Sequence, residues 1–85
     1  MTEQIPSANR LGRLRWLSRR GMKELDLLLD SFIDRHAVAL EQGEWPQFET
    51  LLATEDDLLW DWAQHPSSCT DPALRPLLEL IRDGN

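Results

Sequence analysis

Residues 19–26 read Arg-Arg-Gly-Met-Lys-Glu-Leu-Asp, and this stretch decides how the chain folds. Two arginines precede a single glycine, and an acidic, leucine-rich segment follows it. Glycine is favoured where the backbone must take a positive φ, so Gly21 predicts a break between two helices. Arg20 is then expected at the C-terminal end of the first helix and Glu24 in the first turn of the second, where their charges suit the helix dipoles. The stretch therefore predicts a charge-matched helical corner, which by itself needs no function to explain it.

Leucine at helical spacing extends from this corner in both directions, while signals for strands are weak. The chain of 85 residues has no tyrosine and no clear alternating run. We therefore predict an all-α fold, a small single-domain five-helix bundle over residues 7–85, with residues 1–6 as a flexible N-terminal tail. The predicted helices span residues 8–20, 22–42, 46–53, 55–64 and a last stretch that begins after residue 71.

Capping and turn residues set the predicted helix ends. Gly43 ends the second helix, and Pro46 suits the first position of the third. Thr54 is followed by three acidic residues, which resembles a capping box and makes Thr54 the predicted N-cap of the fourth helix. Asp71 is the predicted N-cap of the fifth. Pro76 falls inside that helix, so we expect it to remove a hydrogen bond or to kink the first turns.

Composition narrows the class of protein. No apolar run approaches the ~20 residues that cross a bilayer, so we expect no direct membrane insertion. The first residues show neither a secretory nor a transit-peptide pattern, and we expect a cytoplasmic protein. Cys69 is the single cysteine, which excludes an internal disulfide and fits a reducing compartment.

Charge is distributed unevenly along the chain, whose net charge is −6. Residues 1–23 carry six basic residues and one acidic residue, whereas residues 24–85 carry three basic and fourteen acidic residues. Such asymmetry is typical of a polar interaction surface. It would equally let the first helix lie against acidic neighbours within the fold, and both interpretations remain open.

The sequence contains no recognisable catalytic or cofactor-holding motif. His36, His65 and Cys69 do not have the spacing of metal ligands. There is no phosphate-cradling loop and no dinucleotide fingerprint, so we expect no stably held cofactor. Asp56 and Asp57 are best interpreted as charges at a helix start rather than as an acid/base pair. We therefore expect a binding protein and not an enzyme.

The first predicted helix offers a candidate binding face. Arg13, Trp16 and Arg20 stand at positions i, i+3 and i+7, largely opposite the leucine stripe. Such a face could bind nucleic acid, but the acidic remainder of the chain would repel a polyanion, so we expect no nucleic-acid partner. Tryptophan and arginine are enriched at protein-binding hot spots, which favours a protein partner. The alternative is that Trp16 packs over a neighbouring helix. Trp60 lies off the apolar stripe of its own helix and is either a second contact or a boundary residue of the core.

Two stretches carry a resemblance to a known family. Residues 16–26 follow the pattern Trp-x-x-Arg-Arg-Gly-Met-x-Glu-Leu-Asp. Further along lie Phe48, Leu51-Leu52, Asp56-Asp57-Leu58 and Trp62, in the order F…LL…DDL…W. Together these resemble the signature of the succinate dehydrogenase FAD-assembly factors (SdhE-like flavinators), whose central element is an RGxxE motif. The resemblance covers residues 13–81. It departs at Ser18, where many members carry a cysteine, so any redox or metal role of that cysteine is absent here.

The resemblance implies a small five-helix bundle that acts as an assembly factor. It implies binding to the flavoprotein subunit of succinate dehydrogenase, or in some bacteria of fumarate reductase, and promotion of covalent FAD attachment to a histidine of that subunit. The FAD would belong to the partner. The implied mechanism is that the factor holds two domains of the flavoprotein in an orientation that favours the covalent step. The residues expected to bind the partner are Arg13, Trp16, Arg19, Arg20, Gly21, Met22, Glu24 and Asp26, together with Trp60.

An alternative function is an antitoxin-like or regulatory partner of a membrane toxin, which predicts a partner with transmembrane helices and no dependence on flavin. The sequence leaves open which flavoprotein is the target, whether free FAD is bound and which oligomeric state the chain adopts.

Overall fold

The chain forms a bundle of short helices in the computed structural model, which describes residues 10–83. Six α-helices lie in these residues: α1 Arg10–Leu17, α2 Lys23–Arg35, α3 Ala37–Glu41, α4 Gln47–Leu52, α5 Asp56–Gln64 and α6 Arg75–Asp83. A 3₁₀ turn at Pro66–Ser68 joins α5 to α6, and residues 10–83 contain no strand. The all-α prediction is confirmed. The predicted tail at residues 1–6 and the start of the first predicted helix lie outside the described residues.

The long second helix that the leucine spacing predicted is two helices, so the described residues hold six helices rather than five. The break is at His36, whose φ of −115° and ψ of 27° are not helical. The imidazole ring lies 4.6 Å from the ring of Phe32 and 6.4 Å from that of Trp45, measured between centroids. His36 is thus a half-buried member of an aromatic corner where the chain changes direction.

One apolar core lies between the helices, as the leucine stripes predicted. Helix α6 packs against α2 and α5, while α1 packs against α2 and α3. Burying a leucine or phenylalanine side chain contributes about 1.5–3 kcal/mol. The buried apolar residues are Leu14, Leu25, Leu29, Phe32, Ile33, Leu40, Phe48, Leu51, Leu52, Leu59, Trp62, Ala63, Cys69, Leu74, Leu77, Leu78 and Ile81.

The last helix begins later than predicted. The side chain of Asp71 accepts a hydrogen bond from the backbone N–H of Ala73 at 3.0 Å, and its carbonyl accepts one from Leu74 at 3.0 Å. These bonds close a turn, and α6 starts only at Arg75. Pro76 therefore lies in the first turn, where its missing N–H would have had no intrahelical partner. The prediction that Pro76 removes a hydrogen bond inside the helix was therefore wrong.

The capping predictions have mixed outcomes. Gly21 and Gly43 both take a positive φ, at +80° and +92°, which confirms them as chain breaks. Thr54 is not the N-cap of α5. That position belongs to Glu55, and no side chain caps it. The carbonyl of Thr54 instead accepts a hydrogen bond from Arg20, a long-range contact that local sequence patterns do not reveal.

Arg10 anchors α1 to the corner between α3 and α4, which the sequence did not predict. Its Nη1 donates to the carbonyls of Leu40 at 2.6 Å and Glu44 at 2.7 Å, and its Nη2 donates to that of Trp45 at 2.9 Å. The same guanidinium donates to both carboxylate oxygens of Glu49, at 3.1 and 2.9 Å. The hydrogen bond from Arg10 lowers the pKa of Glu49 below its ordinary value of 4.5, despite an opposing contribution from burial.

Candidate partner-binding surface

The turn that joins α1 to α2 begins where α1 ends at Leu17. Ser18 is buried, its N–H donates to the carbonyl of Leu14 at 3.0 Å, and its hydroxyl donates to that of Arg15 at 2.8 Å. The residue that replaces the family's cysteine therefore faces inward and closes the end of α1. It does not belong to the exposed part of the turn.

Asp26 fixes the backbone of this turn from the first part of α2. Its Oδ1 accepts the N–H of Arg20 at 2.9 Å, and its Oδ2 accepts the N–H of Gly21 at 3.3 Å. Both donors would otherwise be unpaired, because neither residue is helical. The final acid of the signature thus holds the first two residues of the RGxxE motif, Arg20 and Gly21, in place.

The side chain of Arg20 turns inward. Its Nη1 donates to the carbonyl of Thr54 at 2.8 Å and to Oδ1 of Asp56 at 2.9 Å. Its Nη2 donates to the carbonyl of Leu52, and its Nε donates to that of Leu17 at 3.1 Å. Only 11% of the side chain is exposed. The face predicted for Arg13, Trp16 and Arg20 does not form, because α1 ends three residues before Arg20.

Other members of the signature are exposed. Trp16 is 67% exposed, so the alternative that it packs over a neighbouring helix is wrong. Arg19 and Glu24 are exposed as well, and no side chain within residues 10–83 pairs with either. Arg13 is also exposed, and its Nη1 lies 3.5 Å from Oε2 of Glu49, a long ion pair at the edge of this region.

An open hollow lies beside the first part of the turn. Its volume is about 420 Å³, and it lies between the end of α1 and the end of α4. The exposed indole of Trp16 and the unpaired guanidinium of Arg19 stand at its edge, so the hollow offers one aromatic and one cationic contact. Its lining residues are Trp16, Leu17, Arg19, Arg20 and Leu52.

A second open hollow, of about 470 Å³, lies beside the start of α2. Trp60 is half-buried there: it packs against the core and also lines the hollow. It is thus a boundary residue of the core that lies beside the motif. The lining residues are Met22, Lys23, Glu24, Leu25 and Trp60. We call the two hollows and the turn between them the motif surface.

The charge asymmetry of the sequence has a structural counterpart. Four of the six basic residues in the first part of the chain pair with acids of later helices: Arg10 and Arg13 with Glu49, Arg15 with Asp30 and Asp34, and Arg20 with Asp56. Arg19 and Lys23 have no such pair within the described chain. The interpretation that the first helix lies against acidic neighbours holds for four residues. The two unpaired cations lie on the motif surface.

Among the described residues, no group of three or more histidine, cysteine or acidic side chains is placed to hold a metal ion. Cys69 is fully buried, and its Sγ accepts the N–H of Asp71 at 3.4 Å. Its surroundings therefore give it a structural role at the turn before α6. No helix within residues 10–83 has the length and apolar character needed to cross a membrane.

Fold and surface together define the class: a small all-α protein that presents an exposed aromatic and charged turn rather than a reactive cluster. The family described as flavinator of succinate dehydrogenase matches residues 12–85, and the chain belongs to this family. The resemblance drawn from residues 16–26 is therefore confirmed.

Individual relatives agree with this assignment, and each is named FAD assembly factor SdhE. The protein from Xylella fastidiosa (strain 9a5c) is 39% identical over 72 residues, which cover 85% of this chain and 74% of that protein. The protein from Colwellia psychrerythraea is 36% identical over 85 residues, covering 95% and 93%. That from Pseudomonas aeruginosa is 37% identical over 73 residues, covering 86% and 87%. No solved structure gives a significant match.

These names describe assembly factors, and the expectation that the chain is a non-catalytic assembly factor rather than an enzyme is confirmed by the family.

Proposed function

We propose that this protein binds the flavoprotein subunit of succinate dehydrogenase through the motif surface and promotes covalent attachment of FAD to that subunit. Family membership supports the activity. The observation that carries the location is Glu24: it is the last residue of the RGxxE motif, it is exposed, and it has no partner among residues 10–83. An unpaired charge beside a half-buried tryptophan is available to a partner without breaking any internal bond.

The residues that we propose as direct contacts are those whose side chains or backbone the motif surface exposes. Trp16 and Arg19 would contact the partner from the first hollow, and Met22, Glu24 and Trp60 from the second. Large aromatic side chains and arginine contribute most where a partner excludes water from them. Gly21 is exposed, and in the sequence it lies between residues that line the first hollow and residues that line the second, so a partner could approach its backbone closely. Arg13 would contribute from the edge.

The proposed mechanism is orientation of the partner. Asp26 holds the backbone of the turn through two hydrogen bonds, and residues before and after Gly21 each line an open hollow. A turn held in this way could contact two parts of the flavoprotein and so fix their relative orientation. Orientation of reacting groups can contribute about 7–11 kcal/mol to a covalent step. Electrostatic assistance from Arg20 is less favoured, because its guanidinium is directed into this protein.

The FAD in this proposal is held by the flavoprotein. Both hollows are open, and the part of the chain described here has no glycine-rich loop at a helix N-terminus of the kind that binds a dinucleotide pyrophosphate. We propose that the protein acts in the cytoplasm, for which the single, buried cysteine is supporting evidence. The same proposal covers a fumarate reductase flavoprotein as a second target.

The proposal can be tested in cells that lack this protein, by in-gel flavin fluorescence of the succinate dehydrogenase flavoprotein. Fluorescence should be lost and then restored by the wild type. It should not be restored by Glu24→Gln, which removes the charge at nearly constant volume.

Asp57→Asn is the matched control, because Asp57 is also an exposed acid in the first turn of a helix. It should restore fluorescence like the wild type. Undiminished fluorescence in the absence of the protein would contradict the proposal. Equal rescue by Glu24→Gln and the wild type would remove the motif surface from it.

A further inference from the structure

We infer that Asp56, which lies outside the RGxxE motif, is a positioning residue for flavinylation and acts through Arg20. On this account the arginine of the motif shapes the motif surface from inside and does not touch the partner. The inference rests on the proposed function and assigns different roles to the residues of that surface.

The geometry around Arg20 is that of an internal clamp. Leu52 is the last residue of α4, so its carbonyl has no partner within its own helix. Asp56 is the first residue of α5. By donating to the carbonyl of Leu52, the carbonyl of Thr54 and the carboxylate of Asp56, one guanidinium joins the end of α4 to the start of α5. Its Nε also holds the carbonyl of Leu17 at the end of α1.

Asp56 is the counter-ion of this clamp. The Arg20 side chain is 11% exposed and Asp56 45%, with 2.9 Å between Nη1 and Oδ1. A nearly buried guanidinium without an opposing charge is strongly disfavoured, so its inward position depends on this carboxylate. Without Asp56, the arginine side chain is expected to move toward solvent.

The clamp and Asp26 both act on Arg20. Asp26 holds the backbone N–H groups of Arg20 and Gly21, while Asp56 holds the side chain of Arg20. Two carboxylates from two different helices thus fix the turn whose two sides form the hollows. Arg20 and Leu52 also line the first hollow, so release of the clamp would change its shape.

A double-mutant cycle separates positioning from contact. The variants are Asp56→Ala, Arg20→Gln and the double variant, and the measurement is the affinity for the purified flavoprotein subunit by titration calorimetry. If Arg20 and Asp56 act as one unit, each single variant should lower the affinity by about tenfold, because small displacements of a positioned group are costly. The double variant should then bind no more weakly than the weaker single variant.

If Arg20 instead contacts the partner, Asp56→Ala should bind as well as the wild type or better. Arg20→Gln should then lower the affinity by the same factor in the wild type and in Asp56→Ala. That result would overturn the inference.

Two further variants guard against general destabilisation. Asp34→Ala breaks the exposed ion pair between Asp34 of α2 and Arg15 of α1. It should leave the affinity unchanged. Asp56→Asn keeps the Oδ1 acceptor and should recover part of the affinity. Equal losses in Asp34→Ala and Asp56→Ala would mean that only overall stability is affected, and would also overturn the inference.

Hydrogen exchange of the free protein tests the clamp independently of the partner. The Gly21 amide should exchange faster in Asp56→Ala than in the wild type, while core amides of α2 remain protected. Unchanged exchange at Gly21 would overturn the inference whatever the binding data show.

The affinity of Glu24→Gln for the flavoprotein subunit, measured in the same titrations, reports on the proposed function. If Glu24→Gln binds normally while Asp56→Ala does not, the contact role of Glu24 fails and the positioning role of Asp56 stands. A wild type that does not bind the flavoprotein overturns both.

Discussion

At the scale of single residues, the RGxxE motif and the neighbouring Asp26 divide several physical tasks between them. Gly21 supplies a positive φ of +80°, which side-chain-bearing residues rarely adopt. Asp26 accepts the N–H groups of the turn, and Arg20 is directed inward. Glu24 is the exposed member with no internal partner. Neighbouring residues of one motif therefore have two roles: some hold the turn in place, and others are exposed.

The two glycines with positive φ allow a matched test of this division. A Cβ at Gly21 or at Gly43 would meet no atom within 4 Å, so backbone strain is the cost that Gly→Leu has in common at the two positions. We expect each variant to lose about 1–2 kcal/mol of unfolding free energy in urea titrations. Flavinylation should be lost in Gly21→Leu, which adds a bulky side chain to the exposed turn of the motif, and retained in Gly43→Leu. Loss of activity in both variants would attribute the effect to strain rather than to the motif surface.

At the scale of elements, sequence patterns predicted which segments are helical but not where each helix ends. Leucine spacing identified most of the core-facing residues of the helices, because periodicity is a local property. It was wrong for Leu58, which the predicted apolar stripe of α5 included and which is 41% exposed. The break at His36 and the N-cap of α5 depend on contacts with other parts of the chain, whereas α6 starts late because of the local turn at Asp71. His36 packs against Trp45, and Thr54 is held by Arg20. Such contacts leave no signal in the local spacing of apolar residues.

The candidate surface was predictable to a similar extent. Sequence reasoning and resemblance identified the turn, Trp16 and Glu24, and they singled out Trp60, which the structure places beside the motif. They did not reveal that Arg20 points inward, because three of its four acceptors lie 32 to 36 residues further along the chain. The acid pair at the start of α5 was interpreted as helix-start charge. The ion pair of Asp56 with Arg20 is a second reason for an acid at this position.

The attachment of α1 to the corner between α3 and α4 should make stability depend on pH. The pKa of Glu49 is lowered mainly by its hydrogen bond with Arg10. A lowered pKa in the folded state means that the stabilisation is fully present above the ordinary glutamate pKa of 4.5 and is lost as the pH falls through the lower folded value. We expect the wild type to lose more unfolding free energy than Glu49→Gln between neutral and acidic pH, in urea titrations at each pH.

Glu41→Gln is the control for this titration, because Glu41 is an exposed glutamate of α3. It should retain the wild-type pH dependence. An equally steep acid dependence in Glu49→Gln and the wild type would show that Glu49 does not contribute to it.

At the scale of the whole molecule, the core and the motif surface are separate features of one small bundle. The molecule measures 39 × 25 × 22 Å, and α6 packs against α2 and α5 without lining either hollow. Substitutions in the core face of α6 should therefore lower the stability of the fold, whereas substitutions on the motif surface should weaken binding to the partner. Activity measured at several temperatures distinguishes the two kinds of defect.

Leu78 of α6 is fully buried and tests this separation. We expect Leu78→Ala to lose about 2–5 kcal/mol of unfolding free energy through the cavity that it leaves. Its flavinylation defect should disappear at low temperature, where the variant is folded, as followed by circular dichroism. A motif-surface variant such as Trp16→Ala should remain defective at every temperature. A defect of Leu78→Ala that persists in the folded protein would show that the core and the motif surface are coupled.

The central claim is that this protein itself promotes covalent flavin attachment through Glu24 on the motif surface. The most direct measurement is the rate of covalent FAD incorporation into the purified apo-flavoprotein subunit of succinate dehydrogenase, with FAD supplied and with either wild type, Glu24→Gln or Asp57→Asn added. We expect wild type and Asp57→Asn to accelerate incorporation, whereas Glu24→Gln, although folded, should not. Equal acceleration by all three proteins, or none by the wild type, would contradict it.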